Sequence, residues 1–105
     1  MKLFIVTSLK DYQPDVIKIF KAAEILVYSI TDVIGVKDNH SVNLMADWFA
    51  SGNEKFDSLM IFSFTTDENA AHGMELIENY NQTNTTGFPV RAFIVPVEKS
   101  NIKTI

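Results

Sequence analysis

Residues 2–9 limit the fold before anything else does. Lys2 to Leu9 is a nearly continuous apolar run with Ile5 and Val6 at its centre. A half-exposed strand alternates apolar with polar side chains, whereas an unbroken run reads as a strand buried on both faces. The sheet that holds it needs cover on each side. The chain has 105 residues, which the length prior reads as one compact domain spanning residues 1–105.

The rest of the chain alternates between two periods. Asp11 is a plausible helix cap and Pro14 sits in the first turn, where its missing N–H costs little. Val16, Phe20, Ala23 and Val27 then recur at helical spacing, widened by Ile19 and Leu26, with Lys18, Lys21 and Glu24 largely opposite. Residues 26–36 turn β-branched and aromatic and read as a second strand. Residues 37–57 have no sustained period; so long an irregular stretch in a small domain is often functional. Residues 59–65 form a third strand. Thr65 with Glu68 reads as a capping box, with Asp67 in the same turn, and Ala70, Met74 and Ile77 mark the inner face of a second helix edged by Tyr80. After a polar tract at 81–87, residues 90–97 make a fourth strand whose Pro96 implies an edge or an ending.

The order β-α-β-β-α-β is the ferredoxin-like split βαβ, an α+β fold with a four-stranded antiparallel sheet and two helices on one face. The other face is left bare. Its Phe and Ile content is too high for a solvated surface, so oligomerisation through the sheet is expected.

Composition removes several function classes. Nine basic against thirteen acidic residues give a net charge of −4, which argues against nucleic-acid binding through a basic face. The absence of cysteine excludes disulfides, thiolate nucleophiles, iron–sulfur clusters and cysteine zinc sites. No segment approaches the roughly 20 apolar residues of a membrane helix, nor is there a signal-peptide core, so the expected location is the cytoplasm with no membrane insertion.

Few residues offer chemistry. No serine lies in a Gly-x-Ser-x-Gly elbow, and no Walker loop or Gly-x-Gly-x-x-Gly is present. His40 and His72 are the only bases with an ordinary pKa near neutrality; His40, in the long loop, is the better placed. A metal site could draw on His40, Met45 and Asp47, although their spacing matches no established ligand motif. Trp48 and Phe49 are either folded onto the body or held out as a partner anchor. Arg91, the single arginine, starts the fourth strand and could clamp a phosphate or carboxylate, or pair with a surface acid. Asn39, Asn81 and Asn84 open N-x-S/T triplets that carry no meaning without secretion.

Three segments carry a family resemblance over nearly the whole chain. Ala92-Phe-Ile-Val-Pro-Val-Glu98 is similar to the Ile-Phe-Val-x-Pro-Val-Glu segment that closes the sheet of PII signal-transduction proteins. Ser29-Ile-Thr-Asp-Val-Ile-Gly35 resembles the Thr-x-Val-x-Gly run that leads into their T-loop, whose position residues 37–57 occupy. Asn101-Ile-Lys-Thr104 is similar to the Arg-Ile-Arg-Thr tail that contacts nucleotide phosphates in that family. Phe88-Pro-Val-Arg91 stands where PII proteins have Gly-Asp-Gly-Lys, and the loop has no tyrosine to be modified. Losing those glycines removes a backbone nest for phosphate, so another effector or weakened nucleotide binding is expected.

The resemblance implies a non-enzymatic homotrimer that binds a small effector in intersubunit clefts and controls a partner, a membrane transporter being one class, through residues 37–57. Gly35 and Lys37 would shape the cleft, Arg91 and Lys103 would meet an anion, and Trp48 and Phe49 would dock the partner. The resemblance leaves the effector open, an adenine nucleotide being one option and a metal ion a lesser one. Two other families share the topology. A CutA-like metal-related trimer would use His40 and Met45. A cofactor-free oxygenase of the dimeric α+β barrel type would use His40 or His72 as base.

Overall fold

The computed structural model describes residues 1–36, 55–85 and 87–102. Its elements follow in the order β1 (Lys2–Leu9), a 3₁₀ turn (Lys10–Tyr12), α1 (Gln13–Ala22), β2 (Ser29–Val36), β3 (Lys55–Thr65), α2 (Asp67–Thr83) and β4 (Arg91–Pro96). The strands form one antiparallel sheet in the order β2-β3-β1-β4. The expected ferredoxin-like α+β fold is present.

Register divides the sheet into two chemically distinct faces. Phe4, Val6 and Ser8 of β1 lie level with Ser63, Ile61 and Leu59 of β3. This side meets the helices, where Val16 and Phe20 of α1 and Ala70 and Ile77 of α2 complete a core that also holds Ala23, Ile25 and Val90. The Phe4 and Phe20 rings sit 5.4 Å apart, and Phe20 packs edge-on against Tyr28 at the same distance. The opposite face is also apolar. Phe62, Ile5 and Phe93 form one row across β3, β1 and β4, and Phe64, Leu3 and Val95 form the next. Phe64 and Val95 keep 47% and 40% of their surface exposed. Helices cover only one side, so the continuous apolar run of β1 is half explained within the chain itself.

Several boundaries differ from the sequence reading. Asp11 does not cap α1; it lies in the 3₁₀ turn, and Tyr12 is the N-cap without a side-chain bond. Pro14 does fall in the first turn. The helical stripe stops at Ala23, because Glu24 takes a left-handed φ of 61°. Glu24 N–H then bonds the Lys21 carbonyl and Ile25 N–H the Phe20 carbonyl, the 5→2 and 6→1 pair of a Schellman ending. Leu26 and Val27 consequently leave the helix and are 70% and 84% exposed. The second strand therefore begins at Ser29. The third begins at Lys55, so the proposed loop of residues 37–57 loses its last three to β3, which pairs Val36 with Lys55. The cap of α2 is Thr66, whose Oγ1 accepts the Asn69 N–H at 3.1 Å, in place of the Thr65–Glu68 box. Asp67 and Glu68 do occupy that first turn, where their charge suits the helix dipole. Pro96 ends β4, an edge strand, as its missing donor requires.

Candidate functional site

The two edges of the sheet differ in chemistry. At the β2 edge a cleft of about 300 Å³ is lined by Val27, Tyr28, Ser29, Phe62, Ser63, Phe64 and Ile102. The ending of α1 builds one wall by sending Val27 and Tyr28 away from the helix, and the Ser63 hydroxyl donates to the Val27 carbonyl and holds that wall against β3. Register places Ser29 opposite Phe62, the last β2–β3 pair, so Phe64 projects past the end of β2. The tail after β4 supplies the third wall. Val97 N–H bonds the Met1 carbonyl at 3.4 Å, the Ser100 hydroxyl accepts the Ile102 N–H at 3.0 Å, and Ile102 reaches the cleft from the far edge strand.

This lining is mostly apolar and contains no carboxylate, imidazole or ammonium among the described residues. Such walls suit a flat apolar or aromatic group and offer no acid–base pair for bond making or breaking. Val27, Tyr28, Phe62 and Phe64 escape motif reading because the two segments meet only through strand register. The available signal was Phe62 and Phe64 at i and i+2, which puts both rings on one face of a strand.

Arg91 opens β4 on the opposite edge. It pairs with Thr7, which pairs with Met60, which pairs with Thr31, so three strand spacings, about 14 Å, separate Arg91 from β2. Its Nε is buried and makes no hydrogen bond among the described residues. The strand's start is fixed by Asn81. Asn81 Nδ2 donates to the Val90 carbonyl at 2.8 Å, and Val90 N–H donates to Asn81 Oδ1 at 2.9 Å.

Gly35 lies buried near the far end of β2, opposite Phe56. The chain therefore does not bring Gly35 and Arg91 together. Lys37, His40, Met45, Asp47, Trp48, Phe49 and Lys103 lie outside the described residues. His72 is exposed on α2, away from the packed space between helices and sheet. No group of three or more potential metal ligands occurs among the described residues.

Comparison with known proteins separates sequence from fold. No family model matches the chain, and no curated protein matches it. Solved structures do. CPII, a nitrogen regulatory PII-like protein from Thiomonas intermedia K12 bound to ADP, AMP and bicarbonate, aligns with a TM-score of 0.66 at 12% identity, covering 97% of this chain and 94% of that one. CPII bound to ADP, AMP and acetate gives 0.62 at 14% identity, covering 90% and 82%. A PII-like signalling protein from Thermus thermophilus gives 0.61 at 16% identity, covering 89% and 82%.

The fold is that of the PII-like signalling proteins. On this PII-like fold the cleft occupies the β2 edge and the single arginine the β4 edge. The turn before β4, Gly87-Phe-Pro-Val90, reverses through Gly87 at φ +92° and carries a proline within it. No helix among the described residues is long and apolar enough to cross a membrane.

Proposed function

We propose that this chain is a non-enzymatic PII-like regulatory protein, a cytoplasmic homotrimer that binds an adenine nucleotide between subunits. The observation that carries this is the split of one binding chemistry over two edges. Aromatic and aliphatic walls lie at β2, and at β4 lies a guanidinium suited to an anion, its Nε buried and without a partner among the described residues. Contact of one copy's β4 edge with the next copy's β2 edge is heterologous, and heterologous contacts that close form rings. The helix-free face, with Leu3, Ile5, Phe62, Phe64, Phe93 and Val95, is the surface such a ring would bury.

In the ring, the base of the nucleotide rests on Val27, Tyr28, Phe62, Phe64 and Ile102 of one subunit. Arg91 of its neighbour meets the phosphate, joined by Lys103. The ADP and AMP bound to CPII support this choice of effector class. Gly35 and Lys37 border the segment between Val36 and Lys55, through which occupancy would be reported to a partner, with Trp48 and Phe49 as its contact residues. A membrane transporter is the class of partner the family resemblance points to.

Native mass spectrometry of the purified protein, alone and with AMP, ADP or ATP, tests the reading. A trimer gaining up to three adenine-nucleotide masses is the expected result. A dimer, or a trimer that stays empty with all three nucleotides, overturns it.

A further inference from the structure

Two positions in the turn before β4, Pro89 and Val90, offer no free N–H to a phosphate. Pro89 has no N–H, and the Val90 N–H is taken by Asn81 Oδ1 at 2.9 Å while Asn81 Nδ2 takes the Val90 carbonyl at 2.8 Å. Val90 is only 1% exposed, so both bonds are shielded from exchange with water. Asn81 opens one of the N-x-T triplets in the sequence, and its amide is engaged from both ends. The residue it holds immediately precedes Arg91, whose buried Nε lacks a partner among the described residues.

These two observations separate two ways of reading an anion. A nest of successive backbone N–H groups can follow a chain of phosphates. A guanidinium edge, Nε with one Nη, grips two oxygens of a single group. Asn81 closes the first route at Val90 and sets the position of the strand that carries the second.

We infer that Asn81 is a positioning residue that determines specificity in the effector cleft: by closing the Val90 peptide it leaves Arg91 to read one phosphoryl group, so the site favours a nucleoside monophosphate over the triphosphate. This rests on the effector reading proposed above. Isothermal titration with adenosine, AMP and ATP tests it on the wild-type protein and on Asn81→Ala and Arg91→Lys. The wild type is expected to bind AMP at least tenfold more tightly than ATP. Arg91→Lys should bring AMP affinity close to that of adenosine. Asn81→Ala should narrow the AMP-to-ATP ratio at least threefold, whereas a purely structural role would lower both affinities equally and leave the ratio alone.

An unchanged ratio in Asn81→Ala overturns the role given to Asn81. Should that variant not fold, Asn81→Asp retains the acceptor for the Val90 N–H and is expected to keep or widen the wild-type ratio; a narrowed ratio would overturn the proposal. Equal or tighter binding of ATP by the wild type also overturns it, while leaving the effector reading standing. Binding of none of the three compounds would remove both.

Discussion

At the scale of single residues, Gly73 shows how a close approach can outweigh helix propensity. It lies within α2, where alanine would ordinarily be favoured by about 1 kcal/mol. A Cβ at this position would sit 2.9 Å from both Cε2 and Cζ of Phe4, and 3.5 Å from Ile25 Cδ1. Phe4 is fully buried against Phe20 and has nowhere to retreat. Overpacking of this kind costs about 1–3 kcal/mol, so Gly73→Ala should destabilise the fold by about 1 kcal/mol net. A urea titration checks this, with a lower midpoint at unchanged slope expected and a raised midpoint counting against the clash. Glu24 presents the reverse case. It holds φ 61° at the end of α1, a conformation that costs a side chain about 1–2 kcal/mol and costs glycine nothing sterically. After the greater chain entropy lost by glycine, Glu24→Gly should stabilise by about 0.5 kcal/mol, seen as a raised melting temperature.

At the scale of elements, the two helices are tied at the end remote from the cleft. Tyr80 of α2 donates its hydroxyl to Asp15 Oδ2 of α1 at 2.7 Å, and its ring meets Tyr12 edge-on at 6.2 Å. Burial first, and then the Asp15 acceptor, push the phenol pKa from 10.0 to about 12. The folded state thus keeps a proton that the unfolded state releases above pH 10. The associated stability is whole below that pH and is lost as pH rises towards 12. Tyr80→Phe should lose about 0.5–1 kcal/mol at neutral pH and show a shallower decline between pH 10 and 12. Parallel alkaline profiles for the two proteins would exclude the linkage. Strands and helices of this fold are legible because their apolar periods differ, but their ends are not. The Schellman ending of α1 uses Glu24 where glycine would have announced it, so Leu26 and Val27 read as more helix. The cap of α2 is shifted by one residue because Thr65 and Thr66 are adjacent and carry the same hydroxyl. The cleft was hidden for a different reason. Its walls come from segments around residues 28 and 63 and from Ile102, which only the β2–β3 register and the path of the tail bring together.

At the scale of the whole molecule, the unmet demand is the one β1 makes. Its core side is satisfied by two helices, yet Leu3 and Ile5 point the other way, between Phe62 and Phe64 of β3 and Phe93 and Val95 of β4. Each of these large side chains contributes about 1.5–3 kcal/mol when fully taken out of water, and the proposed ring would gather six of them from every subunit. Ile5 is the residue on which to test this. It sits on an interior strand, is only partly buried in the isolated subunit, and lies outside the lining of the cleft. A carboxylate there is tolerable in a monomer, where water reaches it, and costly in a trimer, where an unpaired charge would be enclosed by phenyl rings. Ile5→Glu should therefore sediment as a monomer with an unchanged far-UV circular dichroism spectrum. It should also lose nucleotide binding, although none of the cleft or arginine residues has been altered, because the proposed site draws half of its residues from a neighbour. A monomer that still bound nucleotide at wild-type affinity would show that one subunit holds the complete site, and would separate the effector from the assembly.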